Sequence, residues 1–371
     1  MEMNCKVLLV SPYNAKRVGG IGTWSKSVLD YFEGSKEFSI IFQNTSNIFK
    51  GNINTGRVSR VFWGIEDTLI IIIRLFYNLL IKRPDVIHYT SSASLALMKD
   101  YLAITLAHKV FKKRFVIHWH FGRIPEICNR RDKEYRRLMN VIRMADKNIV
   151  LDEKSLHALL NEGCDNVFCI PNPMTSALYD ATKDKDITKA NKERQKGEVL
   201  FVGHIIENKG VLELVKSCAN CAEVKKLILV GPVLTPMKEK IIKLSLNKPK
   251  PGWVEFKGEL QREDVYSYFR KCTIFCLPSY TEGFPYVILE AMAFGCPIIA
   301  TDVGAIPEML QEGSGQIIEP RNELQLTEIL NKTLLDKEQR DKLGTNAYKR
   351  VMSVYTREAI CGLYAKTWLN N

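Results

Sequence analysis

Residues 274–308 read IFCLPSYTEGFPYVILEAMAFGCPIIATDVGAIPE. Two short apolar runs, Ile274 to Leu277 and Pro297 to Ala300, flank an amphipathic segment that opens at Pro285. The pattern predicts strand, loop, helix and strand. Pro285 suits the first helical turn, where a missing N–H costs no intrahelical bond. The loop SYTEGF therefore stands at the carboxyl end of a strand and the amino end of a helix. Open parallel sheets bind ligands there, and free helical N–H groups attract phosphate. Glu282 lies in the loop, and Glu290 lies eight residues on in an apolar stretch of the helix. Burial of that carboxylate requires hydrogen-bond partners, which the hydroxyls of a sugar or ribose would provide.

Working outward, the 371 residues are expected to form two domains. A hydrophobic content of 46% and a charged content of 25% describe an ordinary globular chain, without repeats or low-complexity tracts. Ten cysteines and no evident secretory leader point to reduced thiols in a cytosolic compartment. Cys218 and Cys221 are spaced CxxC, but no second pair accompanies them to complete a zinc site.

The net charge of +12 is uneven: residues 1–175 hold 25 Lys plus Arg against 16 Asp plus Glu. Eleven basic and three acidic residues fall between Lys109 and Arg143. A phosphorylated substrate or an anionic lipid surface would meet such a patch. Nucleic acid is disfavoured, because no helix-turn-helix, zinc-finger or aromatic RNP-like signature occurs.

In chain order, KVLLVSP (6–12) predicts a first strand, and Gly19 and Gly20 open a helix where glycine permits close backbone approach and unusual dihedrals. Between Val61 and Lys82 a long helix is expected. Leu69, Ile70, Ile73, Phe76, Tyr77 and Leu80 recur on one broad side of it. Its uninterrupted apolar run before Arg74 is too short to span a membrane. A buried crossover helix is preferred to one lying on a membrane surface. RFVIHWHFGRIP (114–125) places His118 and His120 where a parallel strand gives way to its loop, with no carboxylate cluster to complete a metal site. FCIPNPM (168–174) closes the first domain, and the polar stretch 180–197 reads as surface linker or loose helix. EVLFVGHIIENKG (198–210) opens the second domain with another strand and loop, in which Lys209 can reach phosphates held at a helix terminus.

These segments resemble retaining, nucleotide-sugar-dependent glycosyltransferases of family 4. Glu282, Gly283, Phe284, Pro285 and Glu290 match its E-x7-E region, within the longer text P-S-x-x-E-G-F-P…E-A-M-A-x-G-x-P-I-I-A-T-D-x-G. The resemblance implies an α/β GT-B fold: two Rossmann-like domains with a donor-binding cleft between them. The implied division is 1–173 on the acceptor side, 174–350 on the nucleotide-sugar side, and a helix in 351–371 returning to the first domain. It implies donor contacts from Gly19, Gly20, Lys209, Glu282, Gly283, Phe284, Pro285 and Glu290, with His118 beside the transferred sugar and His120 behind it. Lys257 to Leu260 correspond to the segment beside the donor base. The family pattern G-R-x-x-x-x-K-G departs here at His204, which occupies the arginine's position and cannot form a bidentate fork.

The implied reaction moves a hexose from a UDP- or GDP-sugar, without metal or other cofactor, to a glycan or to a polyprenyl- or lipid-linked acceptor. Bacterial capsule, exopolysaccharide or lipopolysaccharide synthesis is the expected setting, in the cytoplasm and peripherally on the inner face of an anionic membrane. Two alternatives stay open: an inactive nucleotide-sugar-binding protein, suggested by His204, and an NAD-linked oxidoreductase.

Overall fold

The computed structural model describes residues 4–14, 19–46, 57–93, 96–184, 186–246 and 252–369, with the backbone alone over 57–65 and at residue 190. The chain divides into two compact units, residues 1–175 with 357–371, and residues 176–356. Both are α/β units built on a six-stranded sheet whose described pairings are all parallel.

In the first unit the strands are β1 (Cys5–Ser11), β2 (Phe38–Asn44), β3 (Val86–Ser91), β4 (Arg114–Trp119), β5 (Lys147–Val150) and β6 (Val167–Cys169), in the order β2-β1-β3-β4-β5-β6. Helices α1 (Gly20–Phe32), α2 (Arg57–Ile81), α3 (Leu97–Thr105), α4 (Ile124–Arg130), α5 (Lys133–Met144) and α6 (Glu153–Asn161) connect them. A π-helical turn, Leu106–Val110, follows α3. Central strands are covered on both faces, so Val7 to Val10 and every residue of β3 are buried.

The second unit holds α7 (Ser176–Thr182), α8 (Ile187–Lys192), α9 (Val211–Ala219), α10 (Thr235–Ser245), α11 (Arg262–Lys271), α12 (Tyr286–Ala293), α13 (Ile306–Met309), α14 (Glu323–Leu335) and α15 (Lys337–Val354). Its strands are β7 (Glu198–Val202), β8 (Lys226–Val230), β9 (Val254–Gly258), β10 (Ile274–Leu277), β11 (Ile298–Thr301) and β12 (Gln316–Ile318), in the order β12-β11-β10-β7-β8-β9. The final helix, α16 (Arg357–Trp368), belongs to the first unit. Tyr364 on it accepts a hydrogen bond from Trp24 Nε1 at 3.0 Å and donates to the Pro171 carbonyl at 2.9 Å. The units divide at 175/176 and 356/357.

Two expectations need correction. The apolar side of α2 read from its periodicity faces solvent: Leu69, Ile73, Phe76, Tyr77 and Leu80 are all exposed, while Ile71, Leu75 and Leu79 enter the core. The helix has apolar residues on two sides, parted by Asp67, Arg74 and Asn78, and periodicity alone does not say which side meets the sheet. The stretch 180–197 is also more than linker. Arg194 donates to the carbonyls of Phe269, Cys272, Phe294 and Gly295, and Ile187 is buried beside Gly295. A guanidinium satisfies several buried carbonyls at once, so a polar segment becomes a clasp on the second unit.

Candidate functional site

The second unit's chain order reverses between β7 and β10, which pair with each other while their successors lie on opposite sides. Ligands of open α/β sheets bind outside the carboxyl ends of strands at such a point. Three loops meet here, following β7, β10 and β11. Tyr280 N–H donates to the Asn208 carbonyl at 2.9 Å, Ala305 N–H to the Gly283 carbonyl at 2.9 Å, and Thr301 Oγ1 to the Ser279 carbonyl at 2.6 Å.

Two glycines make this closeness possible. Gly210 has φ +65°, and a Cβ there would stand 2.0 Å from the Pro278 carbonyl oxygen. Gly304 has φ +54°, and its Cβ would stand 2.4 Å from the Glu282 carbonyl oxygen. Any other residue would be strained in dihedral and in contact.

Within the joined loops, Lys209 Nζ lies 2.6 Å from Glu282 Oε1, which also accepts from Ser279 Oγ at 2.7 Å. Lys209 ends a 3-10 turn, Glu207–Lys209, directly before Gly210 and α9. Gly283 lends its carbonyl to the loop network. Phe284 is buried with its ring centroid 5.9 Å from that of Tyr355. Pro285 is the residue before α12, with φ −77° and ψ 111°, one step outside the first-turn position expected for it.

Glu290 is buried on α12, and Arg262 Nε, from the first residue of α11, stands 3.3 Å from its Oε1. Burial pushes the carboxyl up to about 7, with Arg262 pulling the other way. Arg262, which follows the loop after β9, was not legible as a partner because it reads as a solvated residue of a charged helix. Leu260 lies two residues before it and is half-buried. Lys257 is not brought to this cluster: its ammonium sits 2.7 Å from Glu255, which also pairs with Lys226. His204 is exposed just beyond β7.

The histidines lie in the first unit. His118 is fully buried, whereas His120, just past the end of β4, is partly exposed. Trp368 Nε1 donates to His88 Nδ1 at 2.9 Å, so the proton of neutral His88 is on Nε2, facing His118 Nδ1 at 3.3 Å. That leaves the His118 proton on Nε2, a buried atom without a hydrogen-bond partner among the described residues. Burial holds His88 and His120 down to about 3, and His118 well below its ordinary value. Trp24 packs against all three rings. Gly19 precedes α1 with φ −84°, a dihedral that any residue adopts, and a Cβ added to it would meet nothing within 4 Å among the described residues. Gly20 is the first residue of α1.

Among the described residues no cluster of three or more His, Cys, Asp or Glu side chains could hold a metal ion. Cys218 and Cys221 are buried, and Cys221 donates to Asn331 Oδ1.

Residues 182–350 match the family model described as Glycosyl transferases group 1. An uncharacterized glycosyltransferase of Methanocaldococcus jannaschii is 30% identical over 49% of this chain and 53% of its own. The N,N'-diacetylbacillosaminyl-diphospho-undecaprenol alpha-1,3-N-acetylgalactosaminyltransferase of Campylobacter jejuni is 30% identical over 46% of this chain and 44% of its own. The chain thus spans about half the length of these curated relatives. Among solved structures, sucrose-phosphate synthase of Thermosynechococcus elongatus superposes with a TM-score of 0.74 over 98% of both chains at 18% identity. HepE of Anabaena in complex with UDP gives 0.71 over 98% of this chain and 99% of its own at 19% identity. The family match falls within the second unit, and the chain as a whole shares the two-domain GT-B fold of these solved structures.

Proposed function

We propose that the protein is a retaining, metal-independent hexosyltransferase that uses a UDP- or GDP-sugar. The observation carrying this reading is the joined set of loops at the β7/β10 reversal, with Lys209 and Glu282 paired in it and Glu290 buried behind. In this reading the bond between the sugar's anomeric carbon and the donor phosphate oxygen breaks. A bond from an acceptor oxygen forms on the same face, and the acceptor proton passes to the departing phosphate. Lys209 and the amino ends of α9 and α12 offset the charge growing on the leaving diphosphate. Glu282 holds donor hydroxyls and Glu290 the ribose. His118 is assigned beside the transferred sugar, with His120, just past the end of β4, behind it.

The acceptor in this proposal is a glycan or a polyprenyl- or lipid-linked saccharide, made for capsule, exopolysaccharide or lipopolysaccharide. The undecaprenol-linked acceptor in the name of the Campylobacter relative supports it. So does the apolar and basic character of the first unit, which suits peripheral work on the cytoplasmic membrane face.

Thermal stabilisation by a panel of UDP-, GDP- and ADP-sugars tests the donor assignment, followed by transfer assays with the stabilising donor. Stabilisation by one nucleotide family and inversion-free transfer is the expected result. Binding of a nucleotide sugar without transfer to any acceptor would favour the inactive binding protein, for which exposed His204 in the arginine's place is the supporting observation.

A further inference from the structure

Among the described residues, the first unit carries an apolar surface that no other part of it covers. On α2, Leu69, Ile73 and Tyr77 are 57%, 65% and 57% exposed, and Phe76 and Leu80 are 44% and 49% exposed. At 100° per residue these five side chains occupy a stripe about 100° wide. The opposite side of the same helix, Ile71, Leu75 and Leu79, fills the core. The stripe continues onto neighbouring elements. Helix α2 packs beside α3, where Met98, Tyr101 and Leu102 are exposed, and the Phe76 ring meets Phe111 at 5.4 Å. Scattered exposed apolar residues need no explanation, but a contiguous set of this kind marks an interaction surface.

Charge identifies the occupant. Strands β3 and β4 pair with Val86 opposite Arg114, so the segments entering them arrive at the same end of the sheet. Those segments bring Lys82 and Arg83 from the end of α2, and Lys109, Lys112 and Lys113 from the π-helical turn and beyond. None of these five is in an ion pair among the described residues. Arg74 lies on α2 itself, in a cleft of about 410 Å³ shared with Phe42, Asn44, Ile73, Tyr77 and Asn78. Two carboxylates share this end of the sheet: Asp85 accepts from Lys6 N–H, and Asp146 accepts from Phe115 N–H and pairs with His108, so the five cations outnumber them. Glu66 and Asp67 lie toward the other end of α2, with Asp67 near Lys99. By contrast, Arg130 on α4 is held by Asp132 and Glu134, and Arg131 by Glu162.

We propose that the α2–α3 face of the first unit is the surface by which this protein docks on an anionic lipid bilayer. The apolar stripe enters the boundary between headgroups and acyl chains, and the cations at its carboxyl-terminal end meet lipid phosphates. No helix among the described residues is long and apolar enough to cross a membrane, so attachment is in the plane of the surface. The inference rests on the proposed reaction only for its membrane-borne acceptor, and the cations of the face lie at the amino ends of β3 and β4, away from the carboxyl-end loop that carries His120. Its evidence comes from the first unit alone.

Sedimentation with phosphatidylcholine vesicles, with and without phosphatidylglycerol, tests it on the full chain. Binding is expected to rise with the anionic fraction and fall with salt. Leu69→Ser/Ile73→Ser/Tyr77→Ser should lower binding at least tenfold. Lys82→Gln/Arg83→Gln/Lys112→Gln should do the same for anionic vesicles, and Arg130→Gln/Arg131→Gln should stay within twofold of the parent. Stabilisation by nucleotide sugar should be unchanged in all three, which separates this inference from the donor reading. If the apolar variant fails to melt cooperatively, the lysine and arginine variant decides. Negligible sedimentation of the parent with anionic vesicles at low salt overturns the proposal. So does a dimer by light scattering that the apolar variant converts to monomer, because a second copy would then cover the face.

Discussion

Lys209 and Glu282, 73 residues apart in sequence, meet at 2.6 Å where the loops after β7 and β10 cross. Each is the other's placeholder: the ammonium occupies a carboxylate oxygen that would otherwise hold a sugar hydroxyl, and the carboxylate occupies the cation a diphosphate would draw. Under the proposed function, substrate binding redistributes this pair.

Lys209→Ala is expected to weaken nucleoside diphosphate binding about ten- to a hundredfold, the range for a lost charged hydrogen bond of roughly 1.5–3 kcal/mol. Glu282→Gln should behave differently. It releases Lys209, so the affinity for the diphosphate without sugar is held or improved while transfer falls. Calorimetry with the nucleotide and with the sugar nucleotide checks both, and equal losses in the two variants would contradict the division of roles.

His204→Arg restores a cation with a planar fork beside the same loop. Nucleotide affinity should rise by up to about tenfold, one charged contact's worth. A fall would show that His204 does not stand where the diphosphate is bound.

Glu290 links binding to pH. Its carboxyl, raised to about 7 by burial, takes up its proton more readily in the folded than in the unfolded chain. Stability from this group is therefore greatest at low pH and is lost as pH rises from about 4.5 through 7. Glu290→Gln removes the charge, so the second unit should gain on the order of 1–3 kcal/mol at pH 8 while losing nucleoside affinity. Melting curves at pH 5 and pH 8 read the sign; greater destabilisation at pH 8 than at pH 5 would refute it.

The buried histidines act in the opposite direction. His88 and His120 are held down to about 3 and His118 is lowered as well, so the unfolded chain binds protons that the folded unit refuses. Stability of the first unit should fall as pH drops below about 6.5, toward 3. His88→Gln should flatten that dependence, followed by the melting temperature between pH 7 and pH 4.5.

Gly210→Ala should cost on the order of 2–4 kcal/mol, since it combines a left-handed dihedral with a Cβ 2.0 Å from the Pro278 carbonyl. Chemical denaturation measures the loss. Nucleotide binding should weaken with it, because the β7 and β10 loops can no longer close together.

Much of this was legible in residue order. The alternation of apolar runs, glycine-bearing loops and amphipathic segments specifies two successive parallel α/β units, because strands buried on both faces and their crossover helices leave different periodicities. The placement of Lys209 and Glu282 in strand-end loops and of Glu290 within a buried helix was legible too, because each is a charged residue where a strand has just ended or where its neighbours are apolar. Tertiary structure decided what local pattern leaves undetermined. It chose which side of α2 meets the sheet, since a helix with apolar residues on two sides offers two. It buried His118 at the end of β4 and left His120, one residue past the strand, partly exposed. It brought Arg262 to Glu290 and Arg194 to four carbonyls, pairings between residues distant in sequence that no periodicity encodes. Periodicity is a property of neighbours along the chain. Burial and charge pairing are properties of neighbours in space, and only the folded chain determines those.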